Sequence, residues 1–146
     1  MKIKFISYGH KFYEAEGIAP PYHDFLFNLR DLKNPYWIPE LKPHHGLEAP
    51  IQEFFGSDEN IQERLNQIIE MSLKFINDFA TNESRGTGDQ LIFAFKCTGG
   101  KHRSPYFADQ SYLKIQELLS KNPELNSKVI LEVEHIDLHK YLSPST

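Results

Sequence analysis

Residues 90–97, QLIFAFKC, leave few folds open to this chain. A run that is apolar nearly throughout cannot keep one face in water, so it reads as a central strand of a covered sheet. TGG follows at once and turns the backbone. Ser104 is then a good N-cap and Pro105 fits the first helical position. Ala108, Tyr112, Ile115 and Leu119 repeat at helical spacing, and Asn122 with Pro123 ends the helix. KVILEVEHIDL is the next strand, which makes strand, helix and strand a right-handed βαβ unit.

Upstream, IKFIS reads as a buried first strand and YGHKFYEAEGIAPPYH, broken by Gly and Pro, as a loop. DFLFNLR is a second strand. In DLKNPYWIPELKPHHGLEAP the prolines forbid a regular element, while Tyr36, Trp37, Ile38 and Leu41 are expected to seek burial. That stretch reads as an ordered, packed loop of functional length. Ser57 or Asp58 caps a helix whose apolar stripe runs Ile61, Leu65, Ile68, Ile69, Leu73, Ile76 and Phe79. TNESRGTGD is a polar turn, and the final SPST is expected to fray. The expectation is one α/β domain over 1–146, small and layered, with a mainly parallel or mixed sheet of about four strands and two long helices. A hydrophobic share of 40%, with eleven Phe and seven Tyr, can build a core at this length.

The formal net charge of −4 argues against a generally basic nucleic-acid binder, while leaving room for a local basic patch. A single cysteine excludes an internal disulfide and points to a reducing, cytoplasmic setting. MKIKFISYGH has no signal-peptide pattern, and no apolar run reaches membrane-spanning length. His44 with His45, and His135 with His139, lack the accompanying ligands of a metal centre, so neither a metal nor a cofactor is expected. A homo-oligomer is left open.

The chemistry concentrates in CTGGKHRS. A helix N-terminus has amides without internal partners and the positive end of its dipole. Gly99 and Gly100 can take positive φ and turn amides toward a ligand. Lys101, His102 and Arg103 add charge, Arg103 with a bidentate fork. Three adjacent basic residues at this end oppose the dipole, a conflict that an anion repairs, so the loop reads as a phosphate site. The bland alternative is a tight strand–helix junction with its basic residues in solvent.

Cys97 to Arg103 is also C-x5-R followed by Ser104, which resembles the phosphate loop of cysteine-dependent phosphatases. That resemblance implies a Cys97 thiolate nucleophile, phosphate held by Arg103, and Ser104 assisting the leaving thiolate. Asp31 is the candidate general acid, and Lys96 stands where that family has His.

A longer match covers positions 5 to 138 in four ordered blocks. Ser7–Lys11 with Gly17, Ile18 and Pro20 loosely matches SFGFKxGIP. LFNLRDLKNP matches VFDVRFLPNP, LKPHHGLE matches LRPxTGLD, and KCTGGKHRS matches GCTGGxHRS, with HIDL for a late HRDL. The chain thus resembles the C-terminal domain of the RNase adapter RapZ family. The resemblance implies a small α/β domain sensing glucosamine 6-phosphate, which in full-length relatives also binds small RNA and presents it to an endoribonuclease. Carried over, Thr98, Gly99, Gly100, His102 and Arg103 would form the phosphate cradle, joined by Lys101 and Ser104, with Lys11 and Arg30 nearby. A small phosphorylated metabolite, and an RNA or protein partner, are therefore expected. The family's nucleotide-binding half has no counterpart, since no G-x-x-x-x-G-K-[ST] occurs. FYEAE is inserted after Lys11, LKP replaces LRP at Lys42, and a basic tail after the last strand is lacking, departures that weigh on RNA binding more than on the phosphate site.

Overall fold

Aromatic side chains set the centre of the molecule. Phe5 stacks on Phe93 at 5.5 Å, and Phe25 stacks on Phe93 at 5.4 Å and on Phe75 at 4.0 Å. The computed structural model, which describes residues 1–81 and 90–142, builds these rings into a sheet of β1 (Lys2–Gly9), β2 (Phe25–Asn28), β3 (Gln90–Cys97) and β4 (Ile130–His135). The order is β2-β3-β1-β4, and every pairing is parallel. The expected turn past Thr81 and the SPST tail lie outside the described residues.

Among the described residues five helices accompany the sheet: α1 (His10–Glu14), α2 (Ala49–Gly56), α3 (Glu59–Thr81), α4 (Arg103–Ser120) and α5 (Pro123–Asn126). Asp58 caps α3, its Oδ1 accepting from the Ile61 amide at 3.1 Å, and the predicted apolar stripe faces inward. Phe107, Ala108, Ile115 and Leu119 of α4 join Phe5 and Phe93 in the main core. On the opposite face Ile6, Tyr8 and Ala94 form a second cluster, covered by Tyr13 of α1. Among the described residues no helix is long and apolar enough to cross a membrane.

The sequence-based expectation differs at several points. Residues 10–14, read as loop, close one helical turn. The segment ending in GLEAP runs into a third sizeable helix, α2, whose Pro50 sits in its first turn where the missing N–H is harmless. α4 starts two residues early: its N-cap is His102, and Ser104 lies inside the first turn, fully buried. Trp37 was expected to bury and is 78% exposed. Its neighbours Asn34 and Pro35 form a capped 3-10 turn that holds the backbone without burying the indole.

Because all strands are parallel, their C-terminal ends share one edge. There β1 exits into α1 on one face, while β3 exits into α4 on the other. Such an edge, between adjacent strands whose connections part, is where open α/β sheets bind ligands.

Candidate anion-binding site

Three glycines let the chain pack at that edge. Gly100 has φ +69, and a Cβ there would sit 2.7 Å from the Gly9 nitrogen; a Cβ on Gly9 would in turn meet the Gly99 carbonyl carbon at 2.5 Å. Gly99, expected to share the positive φ, does not. Gly46 packs from the other side, its amide donating to the Lys101 carbonyl at 2.8 Å. Gly46→Ala would place a Cβ 2.4 Å from the His102 carbonyl oxygen. It is expected to lower stability by about 1–3 kcal/mol in urea unfolding, as overpacked sites do.

Between the glycine turn and the 3-10 turn lies a cavity of about 310 Å³. Its floor is Cys97, Thr98, Gly99, Lys101, His102 and Arg103. Lys11, Lys42, Tyr141, Asn34, Tyr36 and Trp37 complete its lining. The Gly100 amide points to Cys97 Sγ at 3.3 Å. The other amides from Thr98 to Arg103 donate to no protein group among the described residues. They therefore remain available at the positive end of α4.

Arg103 is 3% exposed and only part of it faces this space. Its Nη1 donates to the carbonyls of Leu29, Arg30 and Leu32 at 3.3, 2.9 and 2.9 Å. One corner of the guanidinium thus fastens the end of β2 and its following turn to α4. Nη2 lies 3.5 Å from Thr98 Oγ1, and the buried Nε has no partner. The remaining edge, Nε with Nη2, has the side-on fork geometry that suits an oxyanion. Burial lowers the Arg103 pKa, while the neighbouring Cys97 and Asp31 act in the other direction.

His102 is 5% exposed, borders the cavity, and its buried Nε2 also lacks a partner. An unsatisfied buried polar atom is costly. Ser72 Oγ, Ser111 Oγ and His135 Nε2 also lack partners among the described residues, while the two at this cavity are the ones beside free amides. Burial, and then the charge of Lys101, pushes the His102 pKa down to about 4, while the backbone of His44 and Lys42 acts on the ring in the direction that raises it. His135, hydrogen-bonded through Nδ1 to Ser7 Oγ at 2.7 Å, is likewise held at about 4 by burial. In the unfolded chain such rings titrate near 6.5. Between about pH 6.5 and 4 the unfolded state binds protons that the folded state refuses, so stability falls as pH falls through that window. The expected loss at His102 is on the order of 3 kcal/mol, flattened by His102→Gln in pH-dependent unfolding.

The structure brings Lys11, Thr98, Gly99, Lys101, His102 and Arg103 together at the cavity. Three other expected residues stand elsewhere. Gly100 shapes the turn from behind, Ser104 is buried with its Oγ donating to the Tyr8 carbonyl at 3.3 Å, and Arg30 is exposed outside the cavity lining. Cys97 borders the cavity with Ser104 Oγ 3.2 Å from its sulfur. Asp31 does not: it is exposed and paired to Arg64 at 2.6 Å, which holds its carboxyl below the usual range. A general acid needs the opposite shift. His44 and His45 are engaged with Glu48 at 3.1 and 3.4 Å, and His139 is exposed.

Two contributors had no sequence signal. Tyr141, near the chain end, donates its hydroxyl to the Gly99 carbonyl at 2.6 Å and fixes that peptide from outside. Asp137, 1% exposed, accepts from the Gly9 amide at 2.7 Å and from Lys140 at 2.6 Å, tying the end of β1. HIDL marked Asp137 only as part of a motif.

A family model described as the RapZ C-terminal domain matches residues 1–138. The chain is 39% identical over 110 residues to a nucleotide-binding protein of Pasteurella multocida, covering 75% of this chain and 35% of that one. It is 36% identical over 136 residues to a nucleotide-binding protein of Haemophilus influenzae, covering 89% and 40%. With a nucleotide-binding protein of Shewanella frigidimarina the figures are 35% over 137 residues, covering 94% and 42%. This chain spans well under half the length of these curated relatives.

Proposed function

The chain belongs to the RapZ C-terminal domain family, and from that premise we propose that it is a binding and sensing domain for a phosphorylated small metabolite. The phosphate is held by the amides of Thr98, Gly99 and 101–103, the Nε/Nη2 edge of Arg103 and His102. The observation that supports this most is the coincidence, on one cavity, of two buried side chains with unpartnered nitrogens and a helix end whose amides are free. The cavity's 310 Å³ is at the small end of ligand sites and suits a single hexose phosphate. An amino-sugar phosphate is the reference ligand of the family resemblance. The ligand state is passed to an RNA or protein partner, through a full-length relative's other half or a separate chain.

The test is a thermal-shift and calorimetric screen of inorganic phosphate and hexose phosphates. A specific ligand at a hundredfold excess over Kd is expected to add about 2.7 kcal/mol of stability, several degrees in Tm. A flat screen contradicts the reading.

A cysteine phosphatase is the second reading, favoured by Cys97 on the cavity floor with the Gly100 amide and Ser104 hydroxyl at its sulfur. The sensor reading expects Cys97→Ser to bind hexose phosphates within about threefold of the parent chain, a change under 1 kcal/mol, and neither form to release phosphate. Phosphate release by the parent chain that Cys97→Ser abolishes would decide for the enzyme. RNA binding, where it occurs, should weaken steeply with salt.

A further inference from the structure

Trp37 is the most exposed of the large apolar side chains among the described residues, at 78%. It lines the same cavity as Arg103 and the glycine turn. An indole in water forgoes the gain that burying its large apolar area would bring. The backbone beneath it is nonetheless fixed. Pro35 is buried, Asn34 Oδ1 accepts from the Tyr36 amide at 3.1 Å, and the Ile38 amide donates to the Pro35 carbonyl at 2.9 Å. Lys101 Nζ donates to the Lys42 carbonyl at 2.7 Å, which fastens the far end of this segment to the glycine turn. An ordered segment thus holds the indole out at the cavity.

The two neighbouring rings differ in what covers them. Tyr36 has the Lys42 ammonium 4.3 Å from its centroid. Trp37 meets Tyr36 at 5.0 Å and 89°, a contact that occupies one side of the indole at most. Among the described residues no cation lies over Trp37. A pyranose carries its hydroxyls around its edge and C–H bonds on its faces. Those hydrogens are slightly positive, so such a face suits the negative face of an indole, and stacking removes apolar area from water on both partners. Lys11, Lys42 and Lys101, on the same lining, are donors for hydroxyls at the edge of such a ring. The cavity of about 310 Å³ suits one sugar ring with its phosphate. A nucleotide adds a base to sugar and phosphate and asks for more room.

We propose that Trp37 sets the specificity of the cavity: its open face stacks on the six-membered ring of a sugar phosphate, so the site selects cyclic hexose phosphates over open-chain esters of equal charge. The proposal rests on the phosphate reading above and adds a demand that charge alone does not make.

The chain has one tryptophan, so its intrinsic emission reports this contact. The experiment is calorimetry and fluorescence on the whole chain with five probes: inorganic phosphate, sorbitol 6-phosphate, glucose 6-phosphate, glucosamine 6-phosphate and adenosine 5′-monophosphate. Sorbitol 6-phosphate has the carbons and phosphate of glucose 6-phosphate but no ring. The tighter of the two ring esters is expected to bind tenfold or more tighter than sorbitol 6-phosphate, and to shift the emission to the blue as the indole leaves water. By calorimetry, Trp37→Ala should cut that ratio below threefold, and Trp37→Phe, which keeps an aromatic face, should hold it above threefold. Trp37 is exposed, so neither change touches the core. A parent ratio below tenfold, emission unmoved at saturation, a ratio of threefold or more in Trp37→Ala, or a Trp37→Phe no better than Trp37→Ala overturns the proposal. So does tighter binding of adenosine 5′-monophosphate than of either ring ester, which would give the indole to a base. In each of these cases binding of inorganic phosphate leaves the phosphate reading intact. Failure of all five probes to bind overturns that reading and the proposal with it.

Discussion

Arg103→Ala is expected to lose both the ligand and about 3–5 kcal/mol of stability, because three carbonyls lose a donor at about 1–3 kcal/mol each where it is buried. The three are Leu29, Arg30 and Leu32, all served by Nη1. Those bonds tie the segment after β2 to the start of α4, so their removal should loosen one wall of the cavity as well as its floor. A destabilised variant alone could lose binding for trivial reasons. Arg103→Lys separates the roles. An ammonium can reach some of the carbonyls but offers no side-on edge. It should recover part of the lost stability in urea unfolding and still bind phosphate at least tenfold more weakly by calorimetry. Parent-like affinity in Arg103→Lys would mean that the guanidinium serves the fold alone.

Gly100→Ala should be the most damaging single-methyl change. A non-glycine residue at φ +69 carries a backbone cost of about 1–3 kcal/mol. The added Cβ also collides with backbone, lying 2.7 Å from the Gly9 nitrogen and 3.0 Å from its Cα. Neither atom can rotate away, so overpacking adds about 1–3 kcal/mol more. A combined loss of about 2–5 kcal/mol is expected, with the turn's amides re-aimed and binding gone. Gly99→Ala is the control. Its φ is not positive, and its Cβ would meet the Tyr141 hydroxyl at 2.9 Å, the far end of a side chain that can give way. Its stability loss should stay at about 1 kcal/mol, what displacing the one Tyr141 hydrogen bond costs. Equal losses in the two variants would place the demand for glycine in the loop as a whole rather than at position 100.

The contrast between these glycines shows what could be read from residues alone. TGG announced a turn, and the unbroken QLIFAFKC announced a covered strand that became β3 at the centre of the sheet. Which glycine carries the left-handed conformation depends on Gly9, ninety residues away, and no local pattern encodes that. The strand order β2-β3-β1-β4 is likewise a long-range outcome. The one-turn α1 and the helix α2, with Pro50 in its first turn, were missed because short helices are set by tertiary packing more than by periodicity. Arg103 was legible as a cavity residue from its place at a helix start. Its second task, clamping three carbonyls, was not, because those carbonyls come from residues 29–32. Trp37 went astray for a related reason. Large apolar rings are usually buried, but an indole beside a ligand cavity can stand exposed, as this one does.

Phosphate binding at the start of α4 is tested most directly by titrating inorganic phosphate into ¹⁵N-labelled protein and following individual amide signals and the Arg103 Nε. Saturable shifts are expected at Gly99, Lys101, His102 and Arg103, with the Nε proton moving downfield as it gains an acceptor. Saturable shifts confined to other parts of the surface, or none at all, would contradict the assignment of this cavity.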